Sequence, residues 1–149
     1  MPRRTSKVRV RPLKDSELQE MVKLWADAGL PRRPKGRDSM RNLKKQHKAA
    51  PELFLGAFAD GKMLGVVLAS DDGRKGWINR LAVVPKARRT GVARLLIDRS
   101  ERALRRRGRK IFCAHIEDYN ETSMQLFGKV GYHKEEGIYY YTKREDPEY

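Results

Sequence analysis

The chain has 149 residues, of which 39% are hydrophobic, and this length and apolar content suit a single domain with one core. No apolar run approaches the ~20 residues of a membrane-spanning helix, and residues 1–14 lack the apolar stretch of a signal peptide, so we expect a cytoplasmic protein without a membrane partner. The single cysteine, Cys113, cannot form an internal disulfide, and the three histidines show no metal-ligand spacing, so no metal site is predicted.

The formal net charge of +15 is concentrated in the first 50 residues, which carry 15 Lys and Arg against 5 Asp and Glu. Such a field attracts polyanions, among them nucleic acid, acidic proteins and phosphorylated small molecules. A charge-rich, solvated surface of the kind found in heat-adapted proteins explains the same excess. The net charge alone does not decide between these interpretations.

Hydrophobic periodicity, turn residues and capping residues divide the chain into helices and strands. The first helix is expected to begin at Asp15 or Ser16, with Ser16 and Gln19 forming a capping box. The predicted elements, in chain order, are a strand at 7–13, a helix at 15–28, a basic helix ending near 50, strands at 53–59, 62–70 and 77–84, a helix at 91–107, a strand at 110–117, a helix at 120–129 and strands at 132–135 and 138–143.

This order predicts an α/β (α+β) fold, because a three-strand antiparallel meander is followed by a β-α-β crossover. We expect a mixed, mostly antiparallel sheet of six to seven strands, flanked on both faces by about four helices. The strands at 77–84 and 110–117 should run parallel to each other. Residues 1–149 are interpreted as one domain with its core at about 8–143, a short basic N-terminal tail and an acidic C-terminal tail.

The segment 80–95 is typical of an anion site, because an apolar strand runs through a turn into a helix whose first backbone amides are left bare. Arg88 and Arg89 supply charge at the turn, and Gly91 and Ala93 keep side chains away from the amides. The positive end of the helix dipole adds to this attraction, so the turn suits a pyrophosphate.

Two motifs in the predicted positions resemble the GNAT superfamily of acyl-CoA-dependent N-acyltransferases. The resemblance covers about residues 8–143 in the order of elements, and its specific motifs lie at 81–93 and 120–132. The motifs read Leu81-Ala82-Val83-x-Pro85-x-x-Arg88-x-x-Gly91-x-Ala93 and Asn120-x-x-Ser123-x-x-Leu126-Phe127-x-Lys129-x-Gly131-Tyr132.

The resemblance implies that the chain binds acetyl-CoA. In this family the amides of the turn hold the cofactor pyrophosphate, and the pantetheine arm pairs with the strand before the turn like an added strand. Asn120 would bond the pantetheine, and the alternative is a plain helix cap, which would explain this residue without any ligand. The implied cofactor-binding residues are Leu81, Ala82, Val83, Arg88, Arg89, Thr90, Gly91, Val92, Ala93, Asn120, Ser123 and Phe127.

Transfer of an acyl group to an amine needs a base, because the amine must be neutral when it attacks. Many members of the family place a glutamate where this chain has Trp77 or Asn79, neither of which can be that base. Others place a glutamate five residues before the asparagine, where this chain has His115. We therefore predict that His115 is the base, with Glu117 on the same strand face either orienting it or serving as the base itself.

Members of the family often carry a tyrosine where this chain has Phe127, and that tyrosine protonates the leaving thiolate. Phe127 cannot donate a proton, so Tyr132, a tyrosine of the segment 139–141, or water would take its place. Both departures concern the base and the acid, whereas the implied cofactor site is intact.

The loop between the first two helices usually contributes to acceptor recognition in this family. Here Arg32, Arg33 and Arg37, with Lys35 between them, favour an acidic or phosphorylated amine, in a small molecule or on an acidic protein face. A solvated basic loop without a ligand is the alternative.

Three classes of function follow from these residues. The leading hypothesis is an N-acetyltransferase that acts on a primary amine, as a monomer or homodimer. The second is a catalytically weak acyl-CoA-binding regulatory module. The third is association with nucleic acid through the basic segments 3–11, 32–48 and 105–110, although no recognised nucleic-acid-binding motif supports it.

Overall fold

The computed structural model describes residues 7–149. Its helices and strands follow the predicted order through the fourth helix. Their bounds are β1 Arg9–Pro12, α1 Leu18–Asp27, α2 Met40–Ala49, β2 Phe54–Ala59, β3 Lys62–Asp71, β4 Gly76–Val83, α3 Val92–Arg106, β5 Phe112–Cys113 and α4 Glu121–Lys129. Short 3-10 turns at Asp15–Glu17, Pro51–Leu53 and Pro85–Ala87 precede α1, β2 and the turn before α3.

The five strands form one sheet in the order β1-β2-β3-β4-β5. β1 to β4 pair antiparallel and β5 pairs parallel to β4, which confirms the predicted meander and crossover. The prediction of six to seven strands is wrong. The segments 132–135 and 138–143 form no strands, and the strand expected at 110–117 is reduced to the two residues of β5.

The missing strands have a physical cause in the sheet edge. Tyr139 and Tyr141 have the aromatic side chains that favour strands, yet they are 84% and 90% exposed. A strand needs a neighbouring backbone to pair with, and β5, at the edge of the sheet, is only two residues long. Without a sufficient edge to pair with, this segment stays outside the sheet, and its tyrosines are exposed despite their strand propensity.

Helices cover both faces of the sheet, as predicted. On one face α1 packs over the sheet with α2, through a cluster that includes Trp25, Leu43 and Ala82. On the other face α3 and α4 pack through a cluster that includes Leu96 and Phe127. The central strands are therefore buried on both sides, and β4 is reached mainly from its β5 edge.

The predicted capping box of Ser16 and Gln19 is wrong. The Glu17 carboxylate accepts the backbone N–H of Lys14 at 2.8 Å and two bonds from the Arg11 guanidinium at 2.7 and 2.8 Å. These bonds from Arg11 lower the pKa of Glu17 to about 2. The first helical turn therefore begins at Lys14, and the side chain that returns to the N-cap backbone is that of Glu17 rather than Gln19.

Two glycines allow α3 to approach the sheet closely. A Cβ on Gly76 of β4 would lie 2.5 Å from Leu104 Cδ1, and one on Gly65 of β3 would lie 3.0 Å from Leu96 Cδ1 and 3.1 Å from the Ala82 carbonyl oxygen. Leu96 and Leu104 are fully buried, so neither can move aside easily. These contacts fix the position of α3 along β4, and with it the position of the helix start.

We expect Gly76→Ala to lower the free energy of unfolding by about 1–3 kcal/mol, because its methyl group overpacks the contact with Leu104. Gly128→Ala is the matched control. Gly128 lies in α4 with no neighbouring atom within 4 Å of an added Cβ, so this change should raise stability by about 0.5–1 kcal/mol. Urea unfolding of both variants measures the difference, and equal stabilities would contradict the packing argument.

Candidate active site

The site begins where β4 separates from β5. The parallel pairing joins only Gly76 to Phe112 and Trp77 to Cys113. From Ile78 to Val83, β4 has no pairing partner on that side among residues 7–149, while β3 continues to pair with it on the other side up to Val83. The second half of β4 therefore offers an open backbone edge, on which an extended ligand arm could pair as a strand does.

A β-bulge interrupts β4 at the same place. Leu68 pairs with Asn79 and Val66 with Ala82, so Arg80 and Leu81 together oppose the single residue Val67. Arg80 has φ +39°, a left-handed conformation that costs free energy for a residue with a side chain. Such bulges re-aim side chains and end regular pairing beside functional sites.

The turn between β4 and α3 leaves the amides at the start of α3 without a protein acceptor, while the Arg88 N–H donates to the Pro85 carbonyl oxygen at 3.3 Å. Gly91, at φ +86°, is the N-cap of α3 and supplies no side-chain cap. The first helical bond runs from Leu95 N–H to the Gly91 carbonyl oxygen at 3.0 Å, so the amides of the preceding residues, including Val92 and Ala93, have no intrahelical acceptor. Arg89 is also left-handed at φ +62°, which folds the turn tightly.

Other side chains of this turn divide into structural and exposed groups. Thr90 Oγ1 donates to the Ala87 carbonyl oxygen and closes the turn. Val92, the first residue of α3, is buried in the cluster between α3 and the sheet. Arg88 and Arg89 are exposed, and neither forms an ion pair with a described residue. Two unpaired guanidinium groups therefore stand beside bare helix amides, which is an arrangement suited to a phosphate.

The strand residues Leu81, Ala82 and Val83 split between the two faces of the sheet. The side chains of Leu81 and Val83 pack with the α3 cluster, whereas Ala82 packs with the α1 cluster. Since these side chains are occupied by packing, the groups that β4 leaves for a ligand are those of its backbone.

Asn120 caps α4, as the sequence predicts. Its Oδ1 accepts the Ser123 backbone N–H at 3.1 Å, and its Nδ2 has no hydrogen-bond partner among residues 7–149. Ser123 is half-buried, but Phe127 is only 5% exposed, within the cluster that joins α4 to α3, and its ring meets Tyr132 edge-on at 5.0 Å. Asn120 thus retains a free donor, while Phe127 serves the core, and its contact with a cofactor stays a prediction.

His115 lies beside the point where β4 and β5 part. Its ring stands 4.7 Å from the Trp77 ring and 4.7 Å from the Tyr140 ring, between the two. Ala114 and Ile116 pack toward α3 and α4, so His115 and Glu117 face the opposite side of the sheet. Both are exposed, and no hydrogen bond joins them in the part of the chain that the structure describes.

The tyrosines proposed as acids differ in their surroundings. The Tyr132 hydroxyl donates to Glu101 Oε2 of α3 at 2.7 Å, and burial raises the pKa of Tyr132 far above its usual range. Its proton is therefore held away from a leaving group. Tyr140, through its contact with His115, is the tyrosine of the segment 139–141 that the structure brings to the site.

The basic loop is organised by one buried carboxylate. Asp38 Oδ2 accepts the Arg33 N–H at 2.8 Å and lies 3.8 Å from Arg37 Nε, while the Asp38 carbonyl oxygen accepts Arg32 Nε and Nη2 at 3.2 and 3.1 Å. Arg33 and Arg37 remain exposed. Arg32 also lines an open groove beside α1 with Val22. The loop is thus a fixed cationic surface.

The other basic segments are partly neutralised. Arg105 pairs with Glu101, and Arg107 and Arg109 both pair with Asp71 at 2.8 and 3.2 Å. Residues 3–6 of the segment 3–11 lie outside the described residues. Arg107 and Arg109 therefore anchor the end of α3 to Asp71, while Arg106 and Lys110 of the same segment are exposed and form no ion pair with a described residue.

Arg80 is the site residue that the sequence reasoning missed. Its guanidinium lies 4.3 Å from the centre of the Trp25 ring of α1, and its Nε and Nη2 are buried without a hydrogen-bond partner among the described residues. The signal available in the sequence is an arginine in the interior of a predicted strand that also contains the apolar residues Ile78 and Leu81. The bulge that turns it under α1 is not visible in the sequence.

None of the helices in residues 7–149 has the length and apolar character that a membrane crossing requires.

Comparison with known proteins matches residues 18–132 to the acetyltransferase (GNAT) family model. Acetyltransferase SG1711 from Sodalis glossinidius (strain morsitans) is 28% identical over 142 residues, which are 94% of this chain and 99% of that protein.

Solved structures share the fold. The aminoglycoside N-acetyltransferase AAC(6')-Iy in complex with CoA superposes with a TM-score of 0.76 at 21% identity, covering 97% of this chain and 99% of that one. The PaiA N-acetyltransferase from Thermoplasma acidophilum in complex with coenzyme A gives a TM-score of 0.74 at 18% identity, covering 87% and 91%.

Asn120→Asp separates the two interpretations of this residue. Aspartate keeps the acceptor oxygen that caps α4 but has no N–H to donate. If Asn120 bonds the pantetheine, the variant should raise the KM for acetyl-CoA about 10-fold while its melting temperature stays within ~2 °C of the wild type. An unchanged KM would show that Asn120 is a cap alone. Asn120→Ala, which removes both groups, should lower the melting temperature as well.

Proposed function

The chain belongs to the acetyltransferase (GNAT) family and is an acyl-CoA-dependent N-acetyltransferase, and on that premise we propose that it acetylates a primary amine by direct attack of the amine on the thioester of acetyl-CoA. The observation that carries the proposal is the open edge of β4 leading into the uncapped start of α3. A helix start alone would not support this proposal. Here the uncapped helix start follows directly after the open strand edge, along one short segment.

The cofactor would lie along this segment. The amides from Arg89 to Ala93 would face its pyrophosphate, and the guanidinium groups of Arg88 and Arg89, which form no ion pair with a described residue, would add charge-assisted bonds. The pantetheine arm pairs with the open backbone of Leu81 to Val83 and reaches the free Nδ2 of Asn120 across the gap toward α4. The thioester then lies between β4 and the chain that follows β5.

In the proposed reaction, the amine nitrogen forms a bond to the thioester carbon and the carbon–sulfur bond breaks. The amine must first lose a proton, which His115 accepts directly or through a water molecule. The position of His115 beside the opening of the sheet supports this role, and Trp77 and Tyr140 hold the ring from both sides. The sulfur takes up a proton as it leaves, from Tyr140 or from water.

The acceptor is proposed to carry negative charge. Arg32, Arg33 and Arg37 form the fixed cationic loop around Asp38, on the face of the sheet toward which Trp77 and His115 turn. A polycationic aminoglycoside, on which the neighbour AAC(6')-Iy acts, would be repelled by such a surface. An acidic or phosphorylated amine, free or on a protein, fits it.

Release of the CoA thiol from acetyl-CoA in the presence of an amine panel tests the activity. The enzyme should be stabilised by acetyl-CoA in a thermal-shift measurement and should release thiol only when an acceptor is present. Stabilisation without release, from every amine tried, would instead identify an acyl-CoA-binding regulatory module.

His115→Ala should lower kcat about 100-fold or more and leave the affinity for CoA unchanged, because the base acts in the chemical step. His133→Ala, which removes an exposed histidine, is the matched control and should behave as the wild type. A His115→Ala variant that keeps the wild-type kcat would exclude His115 as the base.

A further inference from the structure

Arg80 occupies a backbone conformation that the protein stabilises at a cost. Its φ of +39° falls in the left-handed region, where a non-glycine residue is destabilised, and it sits in the bulge at the centre of the proposed active site. Strain of this kind persists when the surrounding structure holds it, and the effect here is to bring a long cationic side chain under α1.

The side chain carries hydrogen-bond donors that the protein leaves unused. Arg80 Nε and Nη2 are buried and have no hydrogen-bond partner among residues 7–149, and no described carboxylate forms an ion pair with the guanidinium. The guanidinium covers the ring of Trp25, whose own Nε1 is a third buried donor without a partner. Three donors without an acceptor at one contact are uncommon, because an unmade bond to a buried polar group is costly.

The charges around Arg80 favour an added anion. The Asp38 carboxylate raises the pKa of Arg80, while the positive charges of Arg37 and Arg32 lower it. Burial is the largest cause that lowers the pKa of Arg80, and it does so because the charged form is poorly solvated. Three arginines against one aspartate leave this region with excess positive charge in partly buried surroundings.

Arg80 also faces the side from which the acceptor would approach. Ile78 packs toward α3 and a Cβ on Gly76 would meet Leu104 of α3, so Trp77 between them faces the other side, where its ring contacts His115. Arg80 lies on that same side, against Trp25. Three residues along a strand span on the order of 10 Å, so the proposed base and this cation lie within reach of one small molecule.

We propose that Arg80 determines acceptor specificity by binding an anionic oxygen, of a carboxylate or a phosphate, on the amine substrate. This inference rests on the proposed function and narrows its substrate class. The residue as a whole is half-buried, so a substrate oxygen reaches the guanidinium with a change of side-chain rotamer. The planar fork then forms two parallel bonds to the anion, and the amine is left near His115.

Four probes of equal chain length test the charge requirement: 6-aminohexanoate, its primary amide, 1,6-diaminohexane and an aminoalkyl phosphate. The wild-type kcat/KM should be about 10- to 100-fold higher for an anionic probe than for the amide, and lowest for the diamine. The anionic probe with the higher kcat/KM shows whether Arg80 prefers a carboxylate or a phosphate on the substrate. Equal wild-type values for all four probes would overturn the inference without any variant.

Arg80→Gln should remove the preference for the anionic probes and leave the kcat/KM for the amide within about 3-fold of the wild type. Arg80→Lys keeps the charge but not the fork, and should retain part of the preference. Arg99→Gln, which removes an exposed charge from the outer side of α3, is the matched control and should keep all of it. A loss shared equally by every probe in Arg80→Gln would show a structural role only, which also overturns the inference.

The two proposals fail in different ways. If amines are acetylated but anionic probes gain nothing, the inference about Arg80 fails and the acetyltransferase activity stands. If no probe is acetylated, the activity fails on this panel, and calorimetric titration of the aminoalkyl phosphate into the CoA complex decides the inference. Wild-type binding that Arg80→Gln weakens about 10-fold or more supports it, and equal binding by both proteins overturns it.

Discussion

The candidate site depends on the separation of β4 from β5 after Trp77. Parallel strands share a ladder of backbone bonds, and ending that ladder after two residue pairs leaves the rest of β4 with an unused edge inside the domain. An uncovered edge is ordinarily a liability for a protein. Here it leads into the start of α3, and α3 is held at a fixed height over β4 by its close contacts with Gly65 and Gly76. In the proposed binding mode, one continuous segment would accommodate a strand-like arm and a phosphate group, and the helix contacts would fix the distance between the two.

The bulge in β4 links this cofactor side to the acceptor side. One additional residue in the strand turns Leu81 toward α3 and Arg80 toward Trp25 of α1. At this position, an apolar side chain therefore lies on one face of the sheet and a cationic side chain on the other. The apolar face supports the helix that follows the turn proposed to bind phosphate. The other face collects His115, Trp77 and the buried cation. The unusual backbone of Arg80 and its unpaired donors are then two consequences of a single extra residue.

Local signals in the sequence account for most of the fold but for less of the site. The four helices, the meander and the parallel crossover follow from periodicity and turn residues, and the uncapped start of α3 follows from Gly91. The strands predicted at 132–135 and 138–143 fail because pairing depends on an edge that β5 is too short to provide. The capping box fails because Arg11, in a neighbouring strand, holds Glu17 in place. Arg80 was missed for the same kind of reason, since a bulge is a property of two paired strands and leaves little trace in one.

Hydrogen exchange of the wild-type protein with and without acetyl-CoA tests most directly whether this segment holds the cofactor. Bound acetyl-CoA should slow amide exchange in two regions, the turn and first helical residues from Arg89 to Arg94 and the open part of β4 from Leu81 to Val83, because amides in both regions gain an acceptor. Peptides from α2, which lies away from the site, should exchange at the same rate with and without the cofactor. Protection confined to the basic face of α2, or none in the segment 81–94, would contradict the account.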